Sequence, residues 1–118
     1  MEQEAAIFKA LSDPTRLRLA VLLAIEGETC VCKLTEALDE PQFKISRHLS
    51  VMRAAGIVTA RRDGAWMHYK LAKPRHKLEA CLQDCFLNCL VEHKTTKADL
   101  KRLKKSTPQI VKECCNER

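Results

Sequence analysis

Prolines and glycines divide this chain into short segments, and their positions constrain the fold more than any other feature. The motif Ser12-Asp13-Pro14 ends one helical pattern and starts the next, because Ser12 or Asp13 can cap a helix whose first turn accepts Pro14. Gly27 and Gly56 each follow a run of apolar residues at helical spacing and end it. The sequence therefore predicts several short helices.

Composition favours a single, mostly helical domain. Of the 118 residues, 46% are hydrophobic but only 4% are aromatic, so leucine and alanine must supply most of the core, and both favour helix. The net charge of +6 suits a polyanionic partner such as nucleic acid or a lipid surface. No run approaches the roughly 18 to 20 apolar residues of a membrane span, and the acidic start MEQEAAIF is unlike a signal peptide. We expect a cytoplasmic protein without a membrane partner.

Two consecutive helices are predicted between Thr29 and Gly56. Thr29 is a plausible N-cap for a short helix that holds Cys30 and Cys32, and the segment Asp39-Glu40-Pro41 closes that helix and restarts the chain. In the next helix the apolar residues recur every three or four positions, whereas the basic residues fall largely elsewhere. One face of this second helix should pack, and another should be basic.

The pattern then changes to that of a β-hairpin and a final long helix. Asp63-Gly64 is a strong two-residue turn signal between alternating segments, and Arg61 and Arg62 flank the turn. From Pro74 a helix carries an apolar stripe too broad for its own core, which predicts packing against a second subunit. We expect a domain over residues 1–93 and a basic, cysteine-containing tail over 94–118, with at most a short amphipathic helix in the tail.

This order of elements is that of a dimeric winged helix-turn-helix, mainly α with a β-hairpin wing. The segments ALSDPTRLRLAVLL, ETCVCKLTEAL and ISRHLSVMRAAGIVTARRDGAWMHYKL resemble the ArsR/SmtB family of small bacterial metal-responsive repressors over roughly residues 5–90. The motif Cys-Val-Cys resembles the arsenic-sensing branch. The resemblance implies a homodimer joined through its first and last helices. Such a dimer binds double-stranded operator DNA at an imperfect inverted repeat and leaves it when inducer binds.

The resemblance also places candidate DNA-binding residues. Ser46 and His48 are candidates for contacts with base edges, because both can hydrogen-bond in the major groove, and the basic side chains are candidates for phosphate contacts. The alternative is that these residues form an ordinary solvated polar face. The candidates on the second helix and on the wing are Gln42, Lys44, Ser46, Arg47, His48, Arg61 and Arg62.

Cys30 and Cys32 are the candidate inducer ligands. At the first and third positions of their helix, the helix dipole would lower the pKa of each thiol. Thiolates are soft ligands, which favours trivalent arsenic or antimony in the form of arsenite, antimonite or a methylated trivalent arsenical. Residues two apart point about 200° apart on a regular helix, so binding one atom must distort the helix start. Inducer and DNA would then bind in opposition. The alternative is a pair of small buried residues.

The source of a third sulfur ligand stays open. Thr35 stands where the arsenic-sensing pattern often carries a third cysteine. A third thiol would have to come from Cys114 or Cys115 in the tail or from the partner chain. Alternatively, two thiols suffice, which would suit a methylated arsenical.

The remaining cysteines have competing interpretations. Cys81, Cys85 and Cys89 are spaced by four, so they share a helix face with Leu78 and Leu82 and form either a second thiolate site or part of a tightly packed dimer seam. The seam is the favoured of these two. Other functions for this fold are redox or persulfide sensing and zinc or cadmium sensing. Metal sequestration and thiol catalysis are weaker alternatives, since the chain has no Cys-x-x-Cys motif and no Gly-rich phosphate loop.

Overall fold

The computed structural model describes residues 1–106, which form a mainly helical domain with one small sheet. The described elements, in chain order, are α1 (Glu2–Leu11), α2 (Pro14–Glu26), β1 (Thr29–Cys30), α3 (Val31–Leu38), α4 (Gln42–Ala54), β2 (Val58–Asp63), β3 (Trp66–Leu71), α5 (Lys77–Cys89) and α6 (Lys94–Lys105). This is the predicted winged helix-turn-helix, with α3 and α4 as its two consecutive helices and the β2–β3 hairpin as its wing.

The start of α2 confirms the predicted cap. The Asp13 carboxylate accepts hydrogen bonds from the backbone amides of Thr15 and Arg16 at 2.9 and 3.1 Å, and Pro14 occupies the first turn, where it has no N–H to satisfy. At the other end, the Gly27 amide donates to the Leu23 carbonyl oxygen with φ at +79°, a conformation that favours glycine.

The sheet has three strands, one more than the hairpin predicted. Its order is β1-β3-β2 with both pairings antiparallel, and Cys30 lies opposite His68 of β3. The predicted turn is wrong by one residue: Asp63 pairs with Trp66, so the two-residue turn is formed by residues 64–65. Gly64, with φ at +63°, supplies the left-handed conformation that such a turn requires.

The helix-turn-helix is built over a fully buried core. Asp39, with φ at +54°, ends α3 in the left-handed region and turns the chain toward α4. The residues that seal α2, α3 and α4 together are all fully buried, and they are Leu19, Leu22, Leu34, Ile45, Leu49 and Met52. Burying a leucine-sized side chain stabilises a fold by about 1.5 to 3 kcal/mol, so this core fixes the orientation of α4.

The C-terminal helices differ from expectation in extent. The helix predicted from Pro74 begins at Lys77, after an extended His76. Residues 94–105 form a helix that packs against α2 and α3, with Asp99 and Leu103 buried. The division into a domain over 1–93 and a tail over 94–118 stays a prediction, and residues 107–118 lie outside the described part. Within residues 1–106, no helix is both long enough and apolar enough to cross a bilayer.

Candidate nucleic-acid interface and thiol site

The outward side of α4 carries most of the predicted DNA-binding residues of this helix. Arg47 is exposed, and Gln42, Lys44 and Ser46 are half-buried. Lys44 forms a salt bridge with Glu40 at 3.2 Å, one turn earlier. A salt bridge between partly exposed side chains contributes little to stability. A phosphate group can therefore replace the Glu40 carboxylate as the partner of Lys44 at small cost.

His48 faces a different direction from the other four predicted DNA-binding residues of α4. Its side chain is only 16% exposed and faces the start of α2, where Nδ1 lies 3.2 Å from Arg16 Nη1 and 3.9 Å from the Asp13 carboxylate. Burial raises the pKa of Asp13, but the amides of Arg16 and Thr15 and the charges of His48 and Arg16 outweigh it, and the pKa lies below its ordinary value. This placement favours a role in positioning α4 over the predicted base-edge contact.

The two arginines of the wing differ in their ion pairing. Arg61 donates from Nη2 to the Glu28 carboxylate at 2.6 Å, and this hydrogen bond lowers the pKa of Glu28. Arg62 is exposed and has no ion pair within residues 1–106. Arg61 therefore ties the wing to the segment before β1, whereas Arg62 is available to a phosphate.

The two candidate thiols straddle a junction between strand and helix, so their predicted positions are wrong. Cys30 belongs to β1 and serves as the N-cap of α3 in an extended conformation, and Cys32 is the second residue of the helix. The physical reason is that pairing of β1 with β3 holds Thr29 and Cys30 extended, which delays the helix by one residue. Because Cys30 precedes the helix, the roughly 200° divergence of residues two apart on a regular helix does not describe these two sulfurs.

The two thiols differ in how far they are exposed to solvent. Cys32 is fully buried, whereas Cys30 is 5% exposed and lines a pocket of about 470 Å³. The wall of this pocket joins the wing, β1 and the end of α6, and it includes Trp66, His68, Leu103 and Ser106. The donor chemistry of the two thiols fits a soft, thiophilic ligand.

Thr35 and the cysteines of α5 have different surroundings. Thr35 Oγ1 donates to the Val31 carbonyl oxygen at 2.9 Å, within α3. Cys81, Cys85 and Cys89 are exposed in the single chain, whereas Leu82 is half-buried and Phe86 is buried. The place of these cysteines in a dimer seam stays a prediction.

Cys85 and Cys89, one turn apart on α5, interact through their thiol groups. A hydrogen bond with Cys89, helped by burial, raises the pKa of the Cys85 thiol. A thiol with a raised pKa is less often the thiolate that binds soft ions. No group of three or more metal-binding side chains occurs among residues 1–106. Cys114 and Cys115 lie outside the described residues.

A buried aspartate and two arginines, which the sequence does not predict to be partners, join α6 to α3. Asp99 is 1% exposed and accepts hydrogen bonds from Arg18 at 2.7 and 3.0 Å and from Arg102 at 2.7 Å. The same two arginines donate to the carbonyl oxygens of Leu38 and Ala37 at the end of α3. An aspartate in a lysine-rich segment gives no sequence signal for this role, because its partner Arg18 is 81 residues away.

Comparisons with known proteins agree with this architecture. A family model described as bacterial regulatory protein, arsR family, matches residues 13–60. The arsenic resistance transcriptional regulator ArsR1 of Pseudomonas putida is 55% identical over 65 residues, which are 55% of this chain and 51% of that protein. The chain thus spans about half the length of this relative.

Two further relatives are matched over most of their length. An HTH-type transcriptional regulator of Methanocaldococcus jannaschii is 49% identical over 76 residues, which cover 64% of this chain and 85% of that protein. A homodimeric winged helix-turn-helix DNA-binding domain of Mycobacterium bovis, described as a possible ArsR-family regulator, superposes with a TM-score of 0.63 at 31% identity, covering 79% of this chain and 86% of that domain. The chain therefore belongs to the arsR family of bacterial regulatory proteins.

Proposed function

We propose that this protein is a transcriptional repressor that binds operator DNA as a homodimer and releases it when trivalent arsenic or antimony binds Cys30 and Cys32. One observation carries the proposal. The Cys-Val-Cys motif lies where β1, paired with wing strand β3, meets α3, which packs against α4. A ligand bound to this motif therefore touches the supports of both candidate DNA-contacting elements.

DNA binding follows from the geometry of the helix-turn-helix. In this fold the second helix enters the major groove with its N-terminal residues toward the bases, and the hairpin reaches adjacent phosphates. Here Arg47 of α4 and Arg62 of the wing are exposed on those elements, and the chain carries a net charge of +6. The partner is operator DNA with an imperfect inverted repeat, since a two-fold dimer presents two equivalent α4 helices.

Dimerisation through α1 and α5 is supported by their exposed apolar side chains. Phe8 of α1 is 53% exposed and Leu87 of α5 is 40% exposed. Exposed apolar side chains that lie close together on neighbouring helices are typical of a protein–protein interface. The Mycobacterium bovis domain with the same fold is homodimeric.

The proposed inducer chemistry couples binding to movement of α3. Each thiol can replace one hydroxyl group of arsenous acid and release one water, so two cysteines hold the arsenic through two sulfur bonds. Cys32 is fully buried, so a ligand can reach its sulfur only when the first turn of α3 moves. Because α3 supports α4, this movement would lower the affinity for DNA, and DNA would lower the affinity for arsenic by the same factor.

We propose that a third sulfur, where one is used, comes from Cys114 or Cys115 of the same chain. The described chain ends at Ser106, which lines the pocket beside Cys30. Seven residues lie between Ser106 and Cys114, so the segment that joins them is eight peptide units long. An extended segment of this length reaches up to about 27 Å, which is ample for a return to the pocket.

A ligand panel tests the proposal directly. Duplex DNA that the protein enriches from a random library would be labelled, and release would be followed by mobility shift with arsenite, antimonite, a methylated trivalent arsenical, zinc, cadmium or an oxidant. We expect release by one or more of the trivalent arsenic and antimony compounds at the lowest concentrations. Release by oxidant or cadmium alone would contradict the proposed inducer.

The DNA affinity should depend steeply on salt. A dimer that neutralises about 6 to 10 phosphates loses roughly 10³ to 10⁵ in affinity between 50 and 200 mM salt, because bound counterions are released. Fluorescence anisotropy across this range measures the slope, and Arg62→Ala should reduce it by about two phosphates per dimer. A flat titration would contradict binding through the phosphate backbone.

A further inference from the structure

The outward side of α4 carries an apolar stripe that the phosphate and hydrogen-bonding contacts do not explain. Phe43 is 67% exposed and Val51 is 41% exposed, although α4 buries three other apolar residues in the core. Arg47 lies between them, and residues 43, 47 and 51 are spaced by four, so they follow one side of the helix. Exposing a phenylalanine ring to water on this side costs free energy, and a partner that covers the ring would remove this cost.

The Phe43 ring is held in place by its neighbour. The Arg47 guanidinium carbon lies 5.8 Å from the ring centroid, within the range of a cation–π contact. Phe43 is the second residue of α4, and the N-terminal turn of the second helix is the part that reaches base edges in this fold. The ring therefore sits at the position from which a side chain can meet the floor of the major groove.

We infer that Phe43 is a specificity-determining residue that contacts the 5-methyl group of a thymine in each operator half-site. The thymine methyl is the apolar group that base pairs present in the major groove. Arg47 lies within the stripe and Lys44 follows Phe43 in the chain, and α4 exposes no large apolar side chain other than Phe43 and Val51, so this side is complementary to a polyanion and not to an apolar protein surface. This inference rests on the proposed function, because it requires α4 to enter the groove.

Replacing thymine by deoxyuridine tests the contact, because it removes only the methyl group. The wild-type protein would first enrich a duplex from a random library, and each symmetric pair of thymines would then be replaced in turn. At one pair we expect a loss of about fourfold in affinity per half-site, the value for burying one methyl-sized group. The Phe43→Ala variant should bind the thymine and uracil duplexes equally, when measured at salt low enough for it to bind.

Val51→Ala is the matched control, since Val51 is 41% exposed on the same side of α4 but lies about two helical turns after Phe43. This variant should keep the full sensitivity to uracil. Phe43 and Val51 are both exposed, so thermal unfolding should show that neither change disturbs the fold. The inference is overturned if no thymine pair is sensitive in the wild type, or if Phe43→Ala keeps the sensitivity. Failure to enrich any sequence would instead contradict the proposed function.

Discussion

The Cys32→Ser variant is expected to bind the selected operator duplex with wild-type affinity and to stay bound when arsenite is added. A serine oxygen is a hard ligand and does not replace a soft thiolate. With only Cys30 left, the arsenic loses its second attachment, and the arsenite concentration for release should rise by about 10²-fold or more. Mobility shift with increasing arsenite measures this, and Cys30→Ser should behave in the same way.

Burial of Cys32 requires a second variant and a matched control. Serine in a fully buried site leaves a hydroxyl to satisfy, at a cost of about 1 to 3 kcal/mol, so Cys32→Ala separates loss of the ligand from loss of stability. Cys85→Ser, on the exposed side of α5, should respond to arsenite as the wild type does. Release at wild-type arsenite concentrations in both the Cys30 and Cys32 variants would contradict the assignment of the site.

Arsenite binding can also be observed without DNA. The chain contains a single tryptophan, and Trp66 lines the pocket beside Cys30. Arsenite should therefore change the tryptophan fluorescence of the wild type but not that of the Cys30→Ser variant. The two measurements together distinguish a variant that fails to bind arsenic from one that binds it without releasing DNA.

The elements that the sequence predicts correctly are those set by local interactions. The cap formed by Asp13, the proline in the first turn of α2 and the termination at Gly27 all involve residues within four positions of each other. The alternation of apolar residues likewise predicts the buried side of α4, because Ile45, Leu49 and Met52 follow the helical period. Such features need no knowledge of the rest of the chain.

The features that the sequence does not predict depend on distant partners. Two residues of β1 become a strand because β3, about 40 residues later, offers unpaired backbone groups. His48 faces the start of α2 because Arg16 and Asp13, more than 30 residues earlier in the chain, lie 3.2 and 3.9 Å from its Nδ1. The local sequence pattern fits equally well a helix that starts at Cys30 and a His48 that faces outward. The candidate residues could therefore be named from the sequence, but their geometry could not be predicted.

The second large effect concerns the cluster around Asp99. The Asp99→Ala variant is expected to lose about 2 to 3 kcal/mol of unfolding free energy, because three charge-assisted hydrogen bonds to a fully buried carboxylate disappear. The loss should stay below the roughly 3 to 5 kcal/mol of a fully buried ion pair, since Arg18 and Arg102 are 25% and 41% exposed and remain partly hydrated. Urea denaturation followed by circular dichroism measures the change.

Two comparison variants isolate the carboxylate charge in this prediction. Asp99→Asn keeps the size and one acceptor, so it should cost less than alanine, whereas Asp84→Ala on the exposed side of α5 should change the unfolding free energy by less than about 0.5 kcal/mol. Arg18 and Arg102 also donate to the carbonyl oxygens of Leu38 and Ala37, so losing Asp99 should loosen the end of α3 as well as α6. In Asp99→Ala, amide hydrogen exchange should speed up more in α3 and α6 than in α5, relative to the wild type, which would reveal that coupling. An unfolding free energy of Asp99→Ala equal to that of the wild type would show that α6 does not depend on the cluster.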